Sequence, residues 1–253
     1  MSSCFGNRVL ITGGSRGIGL AYAEALVESG CAVVINHCED LDKARRECQR
    51  LGKHSPCYEI DADIAKPELA RKMVRQAAEK LGGLDIVISN AGICRFTSFL
   101  DLTDDIWGRH IDVNFNGAFR VTQEAAKIMV AAGHGGRIVF TTSIGALRSN
   151  ATQSHYCASK GGLNLLMQGM ALELGAYGIT VNAIAPGWIH TAINDEASRD
   201  TTTVPLWLKT HCPLGRLGQP DDLKAAILFL TSREASYVTG STVSVDGGWN
   251  AQL

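Results

Sequence analysis

Seven short apolar runs, rich in β-branched residues, recur along the chain at 8–12, 32–36, 57–61, 84–89, 136–141, 179–184 and 242–246. Runs of this length and composition read as strands buried on both faces. Between them apolar residues return at helical spacing, for example over 18–29, 67–81, 121–132, 156–174 and 220–231. Strand, helix, strand repeated with short connections requires right-handed crossovers, because parallel neighbours cannot be joined by a tight hairpin. The pattern therefore predicts an α/β fold with a doubly wound parallel sheet of about seven strands and helices on both faces. No linker, repeat or low-complexity stretch interrupts the alternation, so residues 1–253 read as one domain. One long irregular stretch, 187–218, follows Pro186 and includes the run Thr201, Thr202, Thr203. It reads as a substrate lid, with an ordinary surface excursion as the alternative.

Composition narrows the ligand. With 24 basic against 25 acidic residues spread along the chain, no single-sign field exists to recruit nucleic acid or an anionic membrane, and a small molecule is the expected partner. No apolar run approaches the ~20 residues of a membrane span. Eight cysteines form no Cys-x-x-Cys pair and follow no export signal, which reads as reduced, mostly buried thiols in a cytoplasmic protein. The seven histidines are scattered, so no metal site is expected.

The stretch "ITGGSRGIG" at 11–19 lies between the first strand and the first helix. Glycine lets the backbone turn sharply and approach a phosphate, and the following helix offers free N–H groups with a positive dipole. A phosphate cradle and a plain turn both fit this stretch alone, since its glycines, at 13, 14, 17 and 19, miss the Gly-x-Gly-x-x-Gly spacing. Further along, Tyr156 and Lys160 stand four apart on a helix and so share one face. A cation held beside a phenol stabilises the phenolate, so this spacing predicts a Tyr156 pKa pulled below the usual value of about 10 and a phenol able to exchange a proton with an alcohol. Ser143, at the end of a strand, can hydrogen-bond the same substrate oxygen.

Thr12-Gly13-x-x-x-Gly17-x-Gly19, "NAG" at 90–92, "VNFNGAF" at 113–119, Ser143, "YCASK" at 156–160 and Pro186-Gly187 together resemble the short-chain dehydrogenase/reductase family, from about residue 6 to the C-terminus. The resemblance implies a Rossmann-type sheet, a nicotinamide cofactor, a homotetramer and a catalytic tetrad of Asn114, Ser143, Tyr156 and Lys160. It also implies that a kinked helix and a bound water connect the Asn114 main-chain carbonyl to Lys160. By the same resemblance Gly13, Ser15, Arg16, Gly17, Ile18 and Gly19 cradle the phosphates, and Asp63 and Ile64 meet the adenine. Asn90, Ala91 and Gly92 lie beside the adenosine ribose, Pro186, Gly187, Ile189 and Thr191 lie towards the carboxamide, and Tyr156 and Lys160 also contact the cofactor.

An acidic residue at the end of the second strand favours NAD, by accepting from the ribose 2'-hydroxyl. Here His37 takes that place and Arg16 precedes Gly17, which favours NADP. Glu39 keeps NAD possible. "SNAGICRFTSFLDL" (89–102), "TQSHYCASKGGLNLLMQ" (152–168), "TAIN" (191–194) and "PLGRLG" (213–218) are similar to aldose 1-dehydrogenases of the family, those acting on L-rhamnose in particular. Those enzymes oxidise a sugar C1 hydroxyl to a lactone, which makes Ser143, Gly145, Gln153, Tyr156, Thr191 and Asn194 the candidate substrate contacts. Gly145 and Arg148 depart from the sugar-enzyme pattern. The alternative is a 3-oxoacyl-carrier-protein reductase, which needs basic residues to dock an acidic carrier; Lys127 is the one lysine or arginine in 126–136 and 169–178. A non-catalytic cofactor-binding regulator is the third reading, against which stand all four retained tetrad positions.

Overall fold

The structure, a computed structural model, describes residues 4–38, 40–191, 208 and 210–251. All seven predicted runs are strands: β1 (Arg8–Thr12), β2 (Ala32–His37), β3 (Cys57–Asp61), β4 (Ile86–Ser89), β5 (Gly136–Thr141), β6 (Ile179–Pro186) and β7 (Thr242–Val245). They form one sheet in the order β3-β2-β1-β4-β5-β6-β7, every neighbouring pair parallel. The order reverses between β1 and β4, and a crevice opens there at the carboxyl ends of the strands.

Helices α1 (Gly17–Glu28), α2 (Leu41–Leu51), α3 (Pro67–Leu81), α4 (Asp104–His110), α5 (Ala118–Ala132), α6 (Ser154–Leu174) and α7 (Lys224–Leu230) cover the sheet. Alternate strand residues point to opposite faces and build two cores. Leu10, Val34, Val87, Ile138 and Phe140 pack with Met73, Met129, Leu163 and Met167 of α3, α5 and α6. Val9, Ile11, Val33, Ile86 and Val139 pack with Leu26 and Ile227 of α1 and α7. Tyr22 and Phe140 are the largest fully buried side chains.

Differences from the sequence reading are local. β2 runs one residue further, because His37 pairs with Asp61 in the ladder, and β6 runs on to Pro186 opposite Val245. The run at 220–231 divides into a 3-10 turn (Pro220–Leu223) followed by α7. Between α4 and α5 the chain makes a wide π-helical turn (Ile111–Gly117), the kink implied by "VNFNG". Most of the expected lid, 192–207 together with 209, lies outside the described residues. None of the eight cysteines is in a disulfide; four are buried and only Cys38 is exposed. Among the described residues no helix is long and apolar enough to cross a membrane.

At the amino ends of β1 and β4, Asp85 accepts from the Asn7 and Arg8 N–H groups, both at 3.1 Å, and from Arg8 Nε at 2.9 Å. Burial alone would raise this carboxyl's pKa, but the bonds and charge of Arg8 outweigh it and hold it below 3.8. A lowered carboxylate pKa stabilises the fold above the unfolded value, and that gain is lost as pH falls through the folded one. Asp85→Ala should therefore cost about 3 kcal/mol in urea unfolding at pH 7, the cost of breaking a buried pair. The deficit should shrink as pH falls below about 4, where the unfolded carboxyl takes up its proton. An equal deficit at pH 7 and pH 2.5 would contradict the assignment.

Candidate active site

The carboxyl ends of β1, β2, β4, β5 and β6 open into a cleft of about 290 Å³. Its floor at β1 is the glycine loop. Gly13 (φ +65°) and Gly17 (φ +54°) adopt the left-handed conformation that side chains rarely tolerate. A Cβ on Gly19 would collide with the Gly13 carbonyl oxygen, so α1 begins in direct contact with the turn before it. Arg16 supplies no side-chain cap to α1, and its first turn holds no acidic residue. Helix N–H groups without capping partners, beside glycines that leave room for a close approach, suit the pyrophosphate of a dinucleotide.

Thr12 joins this loop to the β4 side. Its Oγ1 accepts from the Asn90 and Ala91 N–H groups at 2.9 and 3.0 Å, while Asn90 Nδ2 donates to the Thr12 and Gly13 carbonyls at 3.0 and 3.3 Å. Gly92 follows; a Cβ there would press to 3.3 Å on both Asn114 Oδ1 and Lys160 Nζ. The two turns at the switch point thus brace each other across the mouth of the cleft.

Ser143 stands just beyond β5, and Tyr156 and Lys160 lie on the first two turns of α6; all three line the cleft. Lys160 is buried, donates to the Thr141 carbonyl at 2.8 Å and sits 5.8 Å from the centre of the Tyr156 ring. Burial lowers its pKa to about 8, leaving the ammonium largely charged at neutral pH. Asn114 is fully buried in the π-helical turn and does not line the cleft. Its Oδ1 accepts from the Ile93 N–H at 2.8 Å, and its Nδ2 donates to the Ile93 carbonyl at 2.9 Å and to Ser159 Oγ at 3.1 Å.

The Tyr156 pKa departs from the sequence expectation. Burial pushes the phenol above its usual value and the neighbouring Ser143 hydroxyl pulls it only part of the way back. Lys160 does not reverse this, because its ammonium is committed to the Thr141 carbonyl and is not hydrogen-bonded to the phenol.

At the other end of the cleft Arg16 is exposed and Asp40 joins the lining. His37 borders the cleft with its side chain fully buried, Nε2 3.3 Å from Glu59 Oε2 and Nδ1 3.8 Å from Asp61 Oδ1. The buried histidine is turned towards the Glu59 and Asp61 carboxylates, and Arg16 is exposed at this end of the cleft. Asp63 accepts from the Ala65 N–H at 3.0 Å and pairs with Arg109 at 3.1 Å.

Of the other expected contacts, Ser15, Ile18, Ile64, Ala91, Pro186, Gly187, Ile189 and Thr191 line the cleft. Gly19 lies behind it as a packing glycine. Gly145 and Gln153 are also absent from the lining: the Gly145 N–H donates to Ser143 Oγ at 3.0 Å, and Gln153 Nε2 is turned onto Cys94 Sγ at 3.4 Å. Asn194 and Glu39 lie outside the described residues. Sequence reasoning missed Thr141, Thr142, Ile93, Cys94, Asp40 and Arg109, which do line the cleft. Their position at the end of β5 or just after β5, β4 and β2 was the available signal for all but Arg109, which reaches the cleft from α4.

Residues 13–250 match the family model described as enoyl-(acyl carrier protein) reductase. The chain is 41% identical over 251 residues to L-rhamnose 1-dehydrogenase (NAD(P)(+)) of Sphingomonas sp. (strain SKA58), covering 98% of each chain. It is 35% identical over 240 residues to 3-oxoacyl-(acyl-carrier-protein) reductase of Staphylococcus aureus, covering 94% of this chain and 96% of that one. Among solved structures, gluconate 5-dehydrogenase of Burkholderia cenocepacia J2315 in complex with NADP and tartrate matches with a TM-score of 0.92 at 35% identity, covering 98% of this chain and 96% of that one.

The buried Lys160 makes a linkage prediction. Between the folded pKa of about 8 and the unfolded value of 10.5 the unfolded chain binds more protons, so stability rises with pH across that window. Wild-type protein should gain about 2 kcal/mol of stability relative to Lys160→Met from pH 8 to 10. Identical pH dependence of the two in urea unfolding would contradict the buried, weakened base.

Proposed function

The chain belongs to the short-chain dehydrogenase/reductase family, and on that footing we propose that this NAD(P)-dependent oxidoreductase oxidises the C1 hydroxyl of a sugar to a lactone, with L-rhamnose the first candidate. The observation that carries the reading is the convergence of Ser143, Tyr156 and Lys160 in the same cleft as the Gly13–Gly17 turn. The identity of 41% with the rhamnose enzyme over nearly the whole chain, against 35% with the carrier-protein reductase, favours a sugar. The reductase reading is further weakened at α6, where Leu172 is 87% exposed at a position where such reductases carry arginine.

Ser143 Oγ donates to the substrate oxygen and holds it against the phenol, and Tyr156 takes the C1 hydroxyl proton. The bound nicotinamide would supply the acceptor for the hydride that leaves C1. Lys160 keeps a positive charge beside the phenol while its Nζ is fixed by Thr141, and the Asn114 main-chain carbonyl is assigned to the water path that returns the proton to solvent. Gly13, Ser15, Gly17 and Ile18 would hold the phosphates, and Asp63, Ile64 and Asn90 the adenosine. Ile189 and Thr191 would meet the carboxamide. NADP is proposed over NAD because Arg16 is open to the cleft while His37 is matched by Glu59 and Asp61. We assign the enzyme as a single-domain cytoplasmic homotetramer, for which exposed Leu165 and Leu172 on α6 offer apolar cover.

Tyr156→Phe removes the proton-transfer group and little volume, so aldose oxidation should fall at least about a hundredfold while the cofactor dissociation constant stays within about twofold. Because the phenol's pKa is raised, wild-type kcat/KM for oxidation should climb with pH from 6 to 10. A flat profile, or more than a few per cent of activity in Tyr156→Phe, would sink the assigned role. Arg16→Ala should weaken NADP at least about tenfold more than NAD, the scale of one charge-assisted contact. Equal losses would show that Arg16 does not read the 2'-phosphate.

A further inference from the structure

The chain leaving β4 forms one wall of the cleft, and side chains fix its backbone. Ile93 has both polar groups taken by Asn114, as described above. Arg95 repeats the arrangement with two residues: its N–H donates to His110 Nε2 at 3.1 Å and its carbonyl accepts from His155 Nε2 at 2.9 Å. Thr97 N–H donates to the Thr152 carbonyl at 2.9 Å. Residues 93, 95 and 97 are thus anchored like alternate positions of a strand, while Cys94 between them lines the cleft and accepts from Gln153.

The two histidines are buried, with ring centres 4.2 Å apart and nearly perpendicular planes. Fixed backbone partners settle their protons. The Arg95 N–H can only donate, so His110 Nε2 is bare and Nδ1–H donates to the Ile106 carbonyl at 2.7 Å. The Arg95 carbonyl can only accept, so His155 carries its hydrogen on Nε2, leaving Nδ1 buried without a partner. The two rings therefore meet the Arg95 peptide in opposite roles, His110 accepting from its N–H and His155 donating to its carbonyl. Burial lowers the His110 pKa, the Ile106 carbonyl opposes it, and the titratable groups that face the ring, His155 from α6 and Arg95 from the wall, would lower it further wherever they carry charge. A proton added to His110 would set one N–H against another.

We propose that His110 and His155 are positioning residues: together they clamp the Arg95 peptide and so fix the substrate-side wall, at Cys94 and Gln153, without touching substrate or cofactor. The clamp opens when His110 is protonated. Its kinetic consequence rests on the sugar reading above; the clamp itself does not.

The test compares His110→Leu, which cannot accept from Arg95, with His110→Gln, whose side-chain oxygen can. Amide exchange is measured on the free protein, followed by KM for L-rhamnose, kcat, and the binary dissociation constant of NADPH. His110→Leu should speed exchange at 93–97 about tenfold, the factor expected for one neutral hydrogen bond. It should raise KM by a similar factor, with kcat and the NADPH constant within twofold, and it should abolish the wild-type rise of KM in acid. His110→Gln should restore all of these at neutral pH. Unchanged exchange in the leucine variant, or a rise in the NADPH constant matching that in KM, would overturn the proposal. Should the leucine variant fail to fold, wild-type exchange at Arg95, corrected for its intrinsic pH dependence, must accelerate as pH falls below the ordinary histidine value of about 6.5; pH-independent protection down to the acid unfolding transition overturns the clamp. If no sugar is oxidised, the sugar reading fails while the exchange data still decide the clamp.

Discussion

A parallel sheet ends abruptly at its carboxyl edge, and the backbone that leaves each strand must find partners for its N–H and C=O groups with no neighbouring strand to supply them. The candidate active site grows from that constraint. Thr12 and Asn90 close the turns after β1 and β4 on each other. Asn114 takes both polar groups of Ile93, and the two histidines take those of Arg95. At the α1 end no side chain caps the helix, and its free donors lie beside the Gly13 and Gly17 turn, where a phosphate would be received. The same edge that needs partners thus distributes them between structure and ligand.

The constraint also sets the electrostatics. Carrying Tyr156 and Lys160 into a cleft between α6 and β5 desolvates both, and desolvation favours the neutral form of each. The phenol becomes a weaker acid and the ammonium a weaker base. Lys160, lowered only to about 8, keeps its charge near neutrality and donates to the Thr141 carbonyl, and a positive ligand in the cleft would favour the phenolate.

Much of this was legible in the chain. The five inner strands were visible because both sheet faces are covered there, which demands continuous apolar runs such as that at 136–141, whereas β3 and β7 at the edges are only partly buried. Gly13, Gly17, Ser143, Tyr156 and Lys160 could be brought into one cleft on paper because glycine spacing, a strand end and an i,i+4 pair are local patterns. The rest depended on through-space facts. Helical spacing placed Lys160 beside Tyr156 but said nothing of desolvation, which decides the direction of the phenol's pKa. Gln153 has the chemistry of a sugar contact, yet it spends its amide on Cys94, a partner 59 residues away. His37 sits where a ribose is read, and only the register with β3 reveals the carboxylates that match it. His110 and His155 looked like two scattered histidines among seven until the fold set them on either side of one peptide.

The central claim is that this cleft removes hydride and proton from C1 of a sugar. It is tested most directly by initial rates of the wild-type enzyme with NADP and with NAD at pH 9 across L-rhamnose, L-fucose, L-lyxose and D-glucose, set against reduction of an acetoacetyl thioester by NADPH at pH 7. The account predicts oxidation of at least one aldose to its lactone with a KM in the millimolar range or below, and little or no turnover of the thioester. Turnover of the thioester with no aldose oxidised would contradict it and make the protein an acyl reductase.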